Sequence, residues 1–283
     1  MANIKIICDS SCDLPKELVE EYDISIIPFL VNLNDRLLKD DGVEVTSEII
    51  YDFVERTGKL PGTVGVPVEV YRAEFEKWVG QGFQVICHTI SSDFSSSFLN
   101  AKVAAEGLEG VWIIDTRNLS TGVGMLALHS AELARQGMDA QAIFASTSAL
   151  IPKATVTFVL DKLDYMKKGG RCSAVAALGA NLFKIKPMIA VVSGKMDVEK
   201  KFRGSIEKVL PEYVEYLMDG HSGEFAPERA FLTHTGCSPE VIAALREKVE
   251  SYHIFQKIHE VRASATITSH SGPNTLGLLY FRK

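Results

Sequence analysis

Residues 85–97, which read VICHTISSDFSSS, decide the fold class because an apolar stretch ends there in a cluster of hydroxyl groups. Val85–Ile90 has the length and the composition of a buried strand. Five serines follow within residues 91–97. In open α/β sheets, ligands bind where strands end and loops begin. The pattern therefore predicts a site for a small anion, held by hydroxyls and by free backbone N–H groups.

Four other apolar stretches end in similar turns that are rich in hydroxyl groups or glycine. No set of nucleophile, base and acid accompanies them, so the pattern favours a binding protein over a catalyst. The stretches are Ile4–Cys8 before residues 9–11, Val111–Ile114 before residues 115–116, Leu160–Met166 before residues 167–171, and Ala265–Ile267 before residues 268–273.

Strands alternate with helices along the first half of the chain, which predicts right-handed crossovers and a parallel sheet. Ile24–Val31 is predicted to be one strand, and Asp13 to cap the helix before it. Beyond Pro152 the regular alternation of strands and helices ends. A turn at residues 193–194 there predicts an antiparallel hairpin. We therefore predict an α/β fold of two domains. Residues 1–153 form an N-terminal α/β/α layer with a mostly parallel sheet, and residues 154–283 a C-terminal α/β domain with a mixed sheet.

The net charge and the residue counts of the chain exclude several classes of protein. A net charge of −6 over 283 residues argues against nucleic-acid binding, which needs a concentrated basic face. No apolar run approaches the roughly 20 residues of a membrane helix, and the N-terminus lacks the layout of a signal peptide. Five cysteines without a CxxC pair indicate a reducing cytoplasm. The seven histidines show no metal-binding spacing, so we expect neither a metal site nor a cofactor.

Three groups of residues are candidates for anion binding. Ser95, Ser96 and Ser97 are predicted to open a helix, whose free N–H groups suit a carboxylate or phosphate, although a cap needs only one serine. Arg171 follows two glycines and carries a planar fork of donors suited to a carboxylate. A helix C-cap followed by a surface arginine is the simpler interpretation of that segment. His270 lies in a predicted tight turn, where it either donates to an anion or has no binding role.

Two alternative functions follow from other features. Ser95 could act as the nucleophile of an acyl or phosphoryl transferase if His270 approached it in the folded protein. Residues 122–127, GVGMLA, fit the G-x-G-x-x-A pattern of a nucleotide-binding module. The glycines do not follow directly from a strand, so close packing of a helix against a sheet explains Gly122–Ala127 better.

The order of these motifs, rather than any one of them, makes a family recognisable. The chain resembles the DegV family of bacterial fatty-acid-binding proteins over essentially its whole length. The matching segments are residues 8–15 (CDSSCDLP), 90–97 (ISSDFSSS), 114–116 (IDT), 163–171 (LDYMKKGGR) and 270–273 (HSGP).

The resemblance implies a two-domain carrier, not an enzyme, that holds one long-chain fatty acid such as palmitate. In the family the acyl tail lies in an apolar tunnel, and the carboxylate lies near the domain interface. Its carboxylate partners correspond here to Thr63 and Ser95, with His270 in support; Ser96 and Arg171 complete the candidate set. Some members present the acid to a separate fatty-acid kinase, and Arg203 matches an arginine linked to that encounter.

Two segments depart from the usual motifs of the family. Its threonine motif continues as Thr-Ser-x-Pro-Ser, whereas residues 63–67 read TVGVP. Its Ser-Gly-Thr is replaced by three serines at residues 95–97. Each segment keeps the hydroxyl assigned to the carboxylate but changes its neighbours. The sequence therefore leaves open the length, saturation and even class of the ligand, as well as the tunnel lining and the oligomeric state.

Overall fold

The structure, a computed structural model, describes residues 3–178, 185–220 and 223–283. Its strands form three sheets covered by helices, which confirms the predicted α/β class with a parallel and a mixed sheet. In chain order the strands are β1 (Asn3–Asp9), β2 (Ser25–Ile27), β3 (Leu30–Leu33), β4 (Arg36–Lys39), β5 (Gly62–Val64), β6 (Phe83–Thr89), β7 (Val111–Asp115), β8 (Ala154–Val159), β9 (Ile185–Val192), β10 (Lys195–Arg203), β11 (Phe225–His234), β12 (Ile258–Arg262) and β13 (Leu276–Arg282).

Helices fill the connections between these strands. None that lies within the described ranges is long and apolar enough to cross a membrane. The helices are α1 (Lys16–Glu21), α2 (Ser47–Thr57), α3 (Val68–Val79), α4 (Ser97–Ala105), α5 (Thr121–Arg135), α6 (Ala140–Leu150), α7 (Leu163–Gly169), α8 (Ser173–Ala176), α9 (Ile206–Gly220), α10 (Pro239–Glu250) and α11 (Ala265–Ser271).

A four-stranded parallel sheet, in the order β2-β1-β6-β7, forms the N-terminal layer. Its centre is held by pairs such as Ile6 with Ile86 and Ile86 with Trp112. β6 is buried from Val85 to its end, as expected for a parallel strand covered on both faces. Helices α3, α4, α5 and α6 contact the strands of this sheet. The strand predicted at Val85–Ile90 and its parallel neighbours are thus confirmed.

A six-stranded mixed sheet, in the order β10-β9-β8-β13-β11-β12, forms the C-terminal layer. Its neighbouring strands are antiparallel except for β11 and β12. Ser193 and Gly194, with positive φ values of 50° and 84°, join β9 to β10, so the predicted hairpin is confirmed. One face of the sheet packs on α9. The other face, with Val156, Phe158 and Leu279, shares a hydrophobic core with the N-terminal layer.

A small antiparallel sheet, in the order β4-β3-β5, is absent from the sequence prediction. The prediction of one strand over Ile24–Val31 is wrong, because the segment divides at Pro28 into β2 and β3. Proline lacks the N–H group that would continue the ladder. β2 pairs with β1, while β3 pairs with β4 and β5. This small sheet carries Thr63, which lies in β5 opposite Val31.

Helix α11 corrects a second prediction. Residues 265–271 form a short helix rather than an apolar stretch before a turn, and His270 lies in its last turn. The hydroxyl of Ser264 caps the start of this helix by accepting from the N–H of Ile267. Although α11 follows β12 in the chain, it packs against α2, β3 and β5. It therefore returns His270 to the part of the molecule that holds Thr63.

Helix α5 lies between the two layers, in contact with β1, β6 and β8. Gly122 faces Val156 so closely that a Cβ atom would overlap with its side chain. A Cβ atom on Gly124 would lie 2.6 Å from the carbonyl oxygen of Cys12. Both glycines serve close packing of the helix, so the packing interpretation of Gly122–Ala127 is confirmed.

Candidate functional site

A cavity of about 310 Å³ lies between the six-stranded sheet and the elements that cover it. Residues of β8, β10, β11 and β13 form its floor, while α11 and the loops after β2, β6 and β7 form its roof. Small-molecule sites in proteins typically enclose about 300–1,000 Å³. The larger apolar side chains of the lining are those of Phe29, Val64, Ile90, Phe94, Leu119, Val156, Phe158, Met166, Met196, Ile267 and Leu279.

One end of this cavity is polar and opens to solvent. The five residues predicted to bind a ligand, Thr63, Ser95, Ser96, Arg171 and His270, all line it. They come from β5, from the loop after β6, from the turn after α7, and from α11. Ser96 and Arg171 are exposed, whereas nearly all of the apolar lining is buried. The fold thus brings the five side chains together at the mouth, and their role in binding stays a prediction.

The serine loop, residues 91–97, leads from β6 into α4. Ser95 Oγ accepts a hydrogen bond from the N–H of Ser97 (3.2 Å), and the two hydroxyl oxygens lie 3.1 Å apart. Ser97 Oγ accepts in turn from the N–H of Val66 (3.3 Å). Each hydroxyl has one proton to donate. With the Ser97 proton directed to Ser95, the Ser95 proton remains for a ligand.

His270 contacts Thr63 directly, with Nε2 2.8 Å from Thr63 Oγ1. Burial, together with the charge of Arg171, lowers the pKa of His270 to about 4. The ring is therefore neutral at pH 7, with one N–H to donate. Its Nδ1 has no hydrogen-bond partner among the described residues. We therefore assign the proton to Nε2, where Thr63 accepts it, because an unpaired buried N–H is costly. Thr63 then accepts from the ring and keeps its own proton for a ligand.

Two glycines shape the turn that carries Arg171. The segment 160–166 is not one apolar stretch before a turn, since β8 ends at Val159 and α7 extends to Gly169. Gly170 then ends the helix with a φ of 68°, which glycine adopts without strain. A Cβ atom on Gly169 would lie 2.5 Å from Nδ1 of His270. The C-cap interpretation is correct for the glycines, while Arg171 also lines the cavity.

Three buried aspartates, Asp9, Asp13 and Asp40, lie directly behind the cavity wall, and sequence reasoning missed this feature. Acidic residues after a strand are common in turns, so no sequence signal marks these three as a group. Each accepts a hydrogen bond from a residue of the cavity lining. The donors are the Ile90 N–H to Asp9 (2.9 Å), the Ser120 hydroxyl to Asp13 (2.5 Å) and the Thr266 N–H to Asp40 (3.1 Å).

Burial raises the pKa of all three aspartates, that of Asp9 to about 6 and that of Asp13 to about 7. The prediction that Asp13 caps the first helix is wrong. Pro15 precedes α1 and makes no side-chain cap, while Asp13 turns inward and accepts from the N–H of Ser264 (2.8 Å). Asp13 and Asp40 thus hold the start of α11, the helix that carries His270.

Arg203 does not line this cavity. It is the last residue of β10, an edge strand of the six-stranded sheet, and its side chain is exposed. Together with Lys200 and Lys201 it lines a surface groove whose other side carries Glu212 and Glu215 of α9. Its predicted role in binding a partner stays a prediction.

The fold and the cavity define an α/β protein with an apolar site between two layers and hydroxyl groups at its mouth. A family model described as "Uncharacterised protein, DegV family" matches residues 3–283. The chain therefore belongs to the DegV family.

Solved structures of this family are similar to the chain over its whole length. One is a DegV family protein from Thermus thermophilus, described for its fatty acid binding. It is 26% identical, with a TM-score of 0.91, and the match covers 99% of this chain and 100% of that one. A stearic acid-binding protein from Eubacterium ventriosum is 27% identical, with a TM-score of 0.86 and coverage of 100% and 99%. Among relatives found by sequence, a DegV domain-containing protein of Caldanaerobacter subterraneus is 29% identical over 288 residues, with both chains fully covered.

Proposed function

We propose that this protein binds one long-chain fatty acid, with the tail in the cavity and the carboxylate at the mouth, and carries it without transforming it. The observation that carries this proposal is an apolar cavity that opens through the hydroxyl groups of Thr63, Ser95 and Ser96. The stearic acid named for the similar protein of Eubacterium ventriosum has a matching chemistry, an apolar chain with one acidic end.

Hydroxyl donors, rather than a buried cation, hold the carboxylate in this proposal. With the His270 proton on Nε2 and the Ser97 hydroxyl as donor to Ser95, the Thr63 and Ser95 hydroxyls each keep a proton for the ligand. Arg171 adds positive charge at the exposed rim. Burying a carboxylate is costly unless several donors replace its water. The hydroxyls of Thr63, Ser95 and Ser96, together with the Arg171 guanidinium, provide such a set of donors.

The inner wall of the cavity is a poorer place for the carboxylate. The hydroxyls of Thr235, Ser271 and Thr275 donate to backbone carbonyls, and that of Ser120 donates to Asp13. These four protons are already used within the protein. The Thr266 hydroxyl, which also lines the cavity, has no hydrogen-bond partner among the described residues, but it lies on the residue whose N–H donates to Asp40. A ligand carboxylate there would also be repelled by Asp9, whose pKa of about 6 leaves it mostly ionised at pH 7. Free donors remain at the mouth, which supports placing the acidic end there.

The acyl tail supplies most of the affinity. Each methylene transferred from water to an apolar site contributes about 0.8 kcal/mol. A sixteen-carbon chain would gain roughly 10 kcal/mol before the costs of ordering it are subtracted. Such an acid is expected to stay bound through purification.

A transferase that uses Ser95 as its nucleophile is less well supported. A nucleophilic serine needs a base within hydrogen-bond reach. The His270 ring bonds to Thr63 instead, and the described hydrogen bonds of Ser95 are with Ser97. A Ser95→Ala protein that still binds acid and supports kinase turnover would eliminate the transferase alternative.

We further propose that the bound acid is presented to a separate fatty-acid kinase through the surface around Arg203, in the cytoplasm and without a metal or cofactor. The five cysteines are free and buried, as suits a reducing compartment. We also propose that residues 1–153 and 154–283 are the two domains, with the ligand at their interface. The division is supported by the sheets, because β1–β7 and β8–β13 do not mix.

Native mass spectrometry of the protein as purified, followed by lipid analysis of its organic extract, tests the proposal. We expect one fatty acid per chain, or uptake of one equivalent of added palmitate or oleate by delipidated protein. Hexadecane, which has the same chain length without the acid, serves as the control for non-specific uptake. Protein that contains no fatty acid and takes up neither added acid would refute the proposal.

A further inference from the structure

Gly65, in the loop after β5, lies directly against the serine loop. A Cβ atom on this residue would be 2.7 Å from Ser95 Oγ, 3.0 Å from Ser97 Oγ and 3.2 Å from Ser96 Oγ. The first of these distances is shorter than real Cβ contacts, and the other two are tighter than most of them. The backbone of Gly65 is not in the left-handed region, so the effect of a side chain here would come from its contact with the serine hydroxyls and not from backbone strain.

Hydrogen bonds on the next residue hold the two loops together. The N–H of Val66 donates to Ser97 Oγ (3.3 Å), and the side-chain amide of Asn100 donates to the carbonyl of Val66 (2.8 Å). The loop that contains Gly65 can therefore not retreat from α4 without losing both bonds. A side chain at position 65 must displace the serine hydroxyls instead.

We propose that Gly65 is a positioning residue of the carboxylate site: its missing side chain lets the serine loop close on β5, so that Ser95 and Thr63 serve one carboxylate. Thr63 lies two residues before Gly65 on the same short segment, so one contact sets the spacing of both hydroxyls. Displacing Ser95 would also break the bond that it accepts from the N–H of Ser97. This role rests on the proposed binding of a fatty acid.

The test compares Gly65→Ala with a matched control, Gly62→Ala. Gly62 lies in β5, and a Cβ atom there would only touch Asn32 at 3.7 Å, an ordinary contact. Affinities are measured for palmitate and for hexadecanol, which shares the chain but lacks the charge. We expect Gly65→Ala to weaken palmitate binding roughly tenfold or more, as for one lost bond to a charged group, and to spare hexadecanol. Gly62→Ala should leave both affinities unchanged.

A second comparison places the effect at Ser95. In a Ser95→Ala background, Gly65→Ala should weaken palmitate binding no further, since the displaced hydroxyl is already absent. Equal losses for palmitate and hexadecanol, or full additivity with Ser95→Ala, would overturn the proposal. If Gly65→Ala unfolds the protein while Gly65→Ala with Ser95→Ala folds, the clash lies at Ser95, as proposed. If both unfold, Gly65 serves the fold, and the proposal is overturned.

The outcome for the wild type separates this inference from the proposed function. Wild-type protein that takes up no palmitate would refute fatty-acid binding, and the role of Gly65 with it. Wild-type protein that binds palmitate, together with a Gly65→Ala variant that matches Gly62→Ala, would refute the role of Gly65 alone.

Discussion

A hydroxyl at the cavity mouth can serve a ligand only if its proton is free. Thr63 meets this condition because it accepts from His270, a residue 207 positions away in the chain. Ser95 accepts from the Ser97 N–H, and it meets the condition when the Ser97 hydroxyl is the donor of the serine pair. Hydroxyls deeper in the cavity, such as that of Thr275, are already bonded to backbone carbonyls. Single side chains therefore define where the charged end of a ligand can lie.

The double variant Thr63→Val with Ser95→Ala tests this distinction. It should lower palmitate affinity by about 100-fold or more, because each hydrogen bond to a charged acceptor contributes about 1.5–3 kcal/mol. Isothermal titration calorimetry on delipidated protein measures the change. The control is Thr57→Val with Ser251→Ala, whose hydroxyls bond to nearby backbone carbonyls outside the cavity. Unchanged affinity in the first variant would show that the carboxylate binds elsewhere.

Helix α11 depends on its surroundings, because seven residues are too few for a helix that is stable alone. Asp40 accepts from the N–H groups of Ala265 and Thr266. Ser47 of α2 lies within hydrogen-bond distance of Thr268 (2.9 Å between the hydroxyl oxygens). The orientation of His270 is therefore set by residues far from it in the sequence.

Replacing Asp40 with alanine should lower the free energy of unfolding by about 2 kcal/mol or more, because two buried N–H groups lose their acceptor. Palmitate affinity should fall as well, since α11 carries His270. Urea denaturation and ligand titration measure the two effects. Asp41→Ala is the neighbouring control, because Asp41 is exposed and its hydrogen bonds among the described residues lie within its own turn. Equal effects of the two variants would contradict the role assigned to Asp40.

The pH dependence of stability tests Asp13. Its pKa in the folded protein is about 7 against an ordinary 3.8, so the folded state holds the proton more tightly than the unfolded state. This contribution to stability is complete below about pH 4 and is lost as the pH rises through 7. Between those limits, wild-type stability should fall relative to Asp13→Asn by up to about 1.4 kcal/mol per pH unit.

Urea denaturation at several pH values between 4 and 8 measures that slope in both proteins. Asp35→Asn, in an exposed turn, is the control and should follow the wild type. Parallel curves for wild type and Asp13→Asn would show that burial of this carboxyl does not change its titration.

Long elements are predictable from the sequence, and short ones are not. β6 is a continuous apolar run, and the β9–β10 hairpin has a clear turn at Gly194. By contrast, β3, β4 and β5 have only four, four and three residues, and partners remote in sequence decide their pairing. α11 contains serine, threonine and histidine, which favour helix weakly. Only contacts made in the folded chain stabilise it.

The residues of the candidate site likewise divide into those that the sequence predicts and those that it does not. Ordered motifs of the family point to Thr63, Ser95 and His270, although no spacing rule would connect residues so far apart. Gly65 and Asp40 could not be predicted, because their significance is a contact with another loop or helix. A glycine that touches three serines looks the same in a sequence as a glycine in any turn.

At the scale of the whole molecule, the two layers meet at the cavity and at a second junction beside it. Arg117 forms an ion pair with Asp93 and donates to the carbonyl of Ser193 in the β9–β10 hairpin. Ser91 donates to the carbonyl of Gly194 (2.8 Å). The serine loop is thus tied to the edge of the six-stranded sheet that also carries the Arg203 surface. The candidate ligand site and the proposed partner surface are therefore connected through the β9–β10 hairpin.

Replacing Arg203 with alanine should leave palmitate affinity unchanged, because Arg203 does not line the cavity. It should weaken phosphorylation of the bound acid by a fatty-acid kinase roughly tenfold, as expected for one lost charged contact at a protein interface. Kinase turnover at increasing concentrations of the carrier measures the effect. Lys16→Ala, on the exposed surface of α1, is the control. Equal turnover with wild-type and Arg203→Ala carriers would contradict the proposed role.

The three aspartates behind the cavity wall affect the orientation in which a ligand would enter the cavity. If the protein carries a fatty acid as proposed, the ionised fraction of these carboxyls disfavours an anionic tip beside them, so the acid would enter with its hydrocarbon leading and its tip trailing. In the proposed role, the reactive oxygen atoms then remain within reach of a partner enzyme. A partner enzyme could then modify the carboxylate without releasing the acyl tail into water.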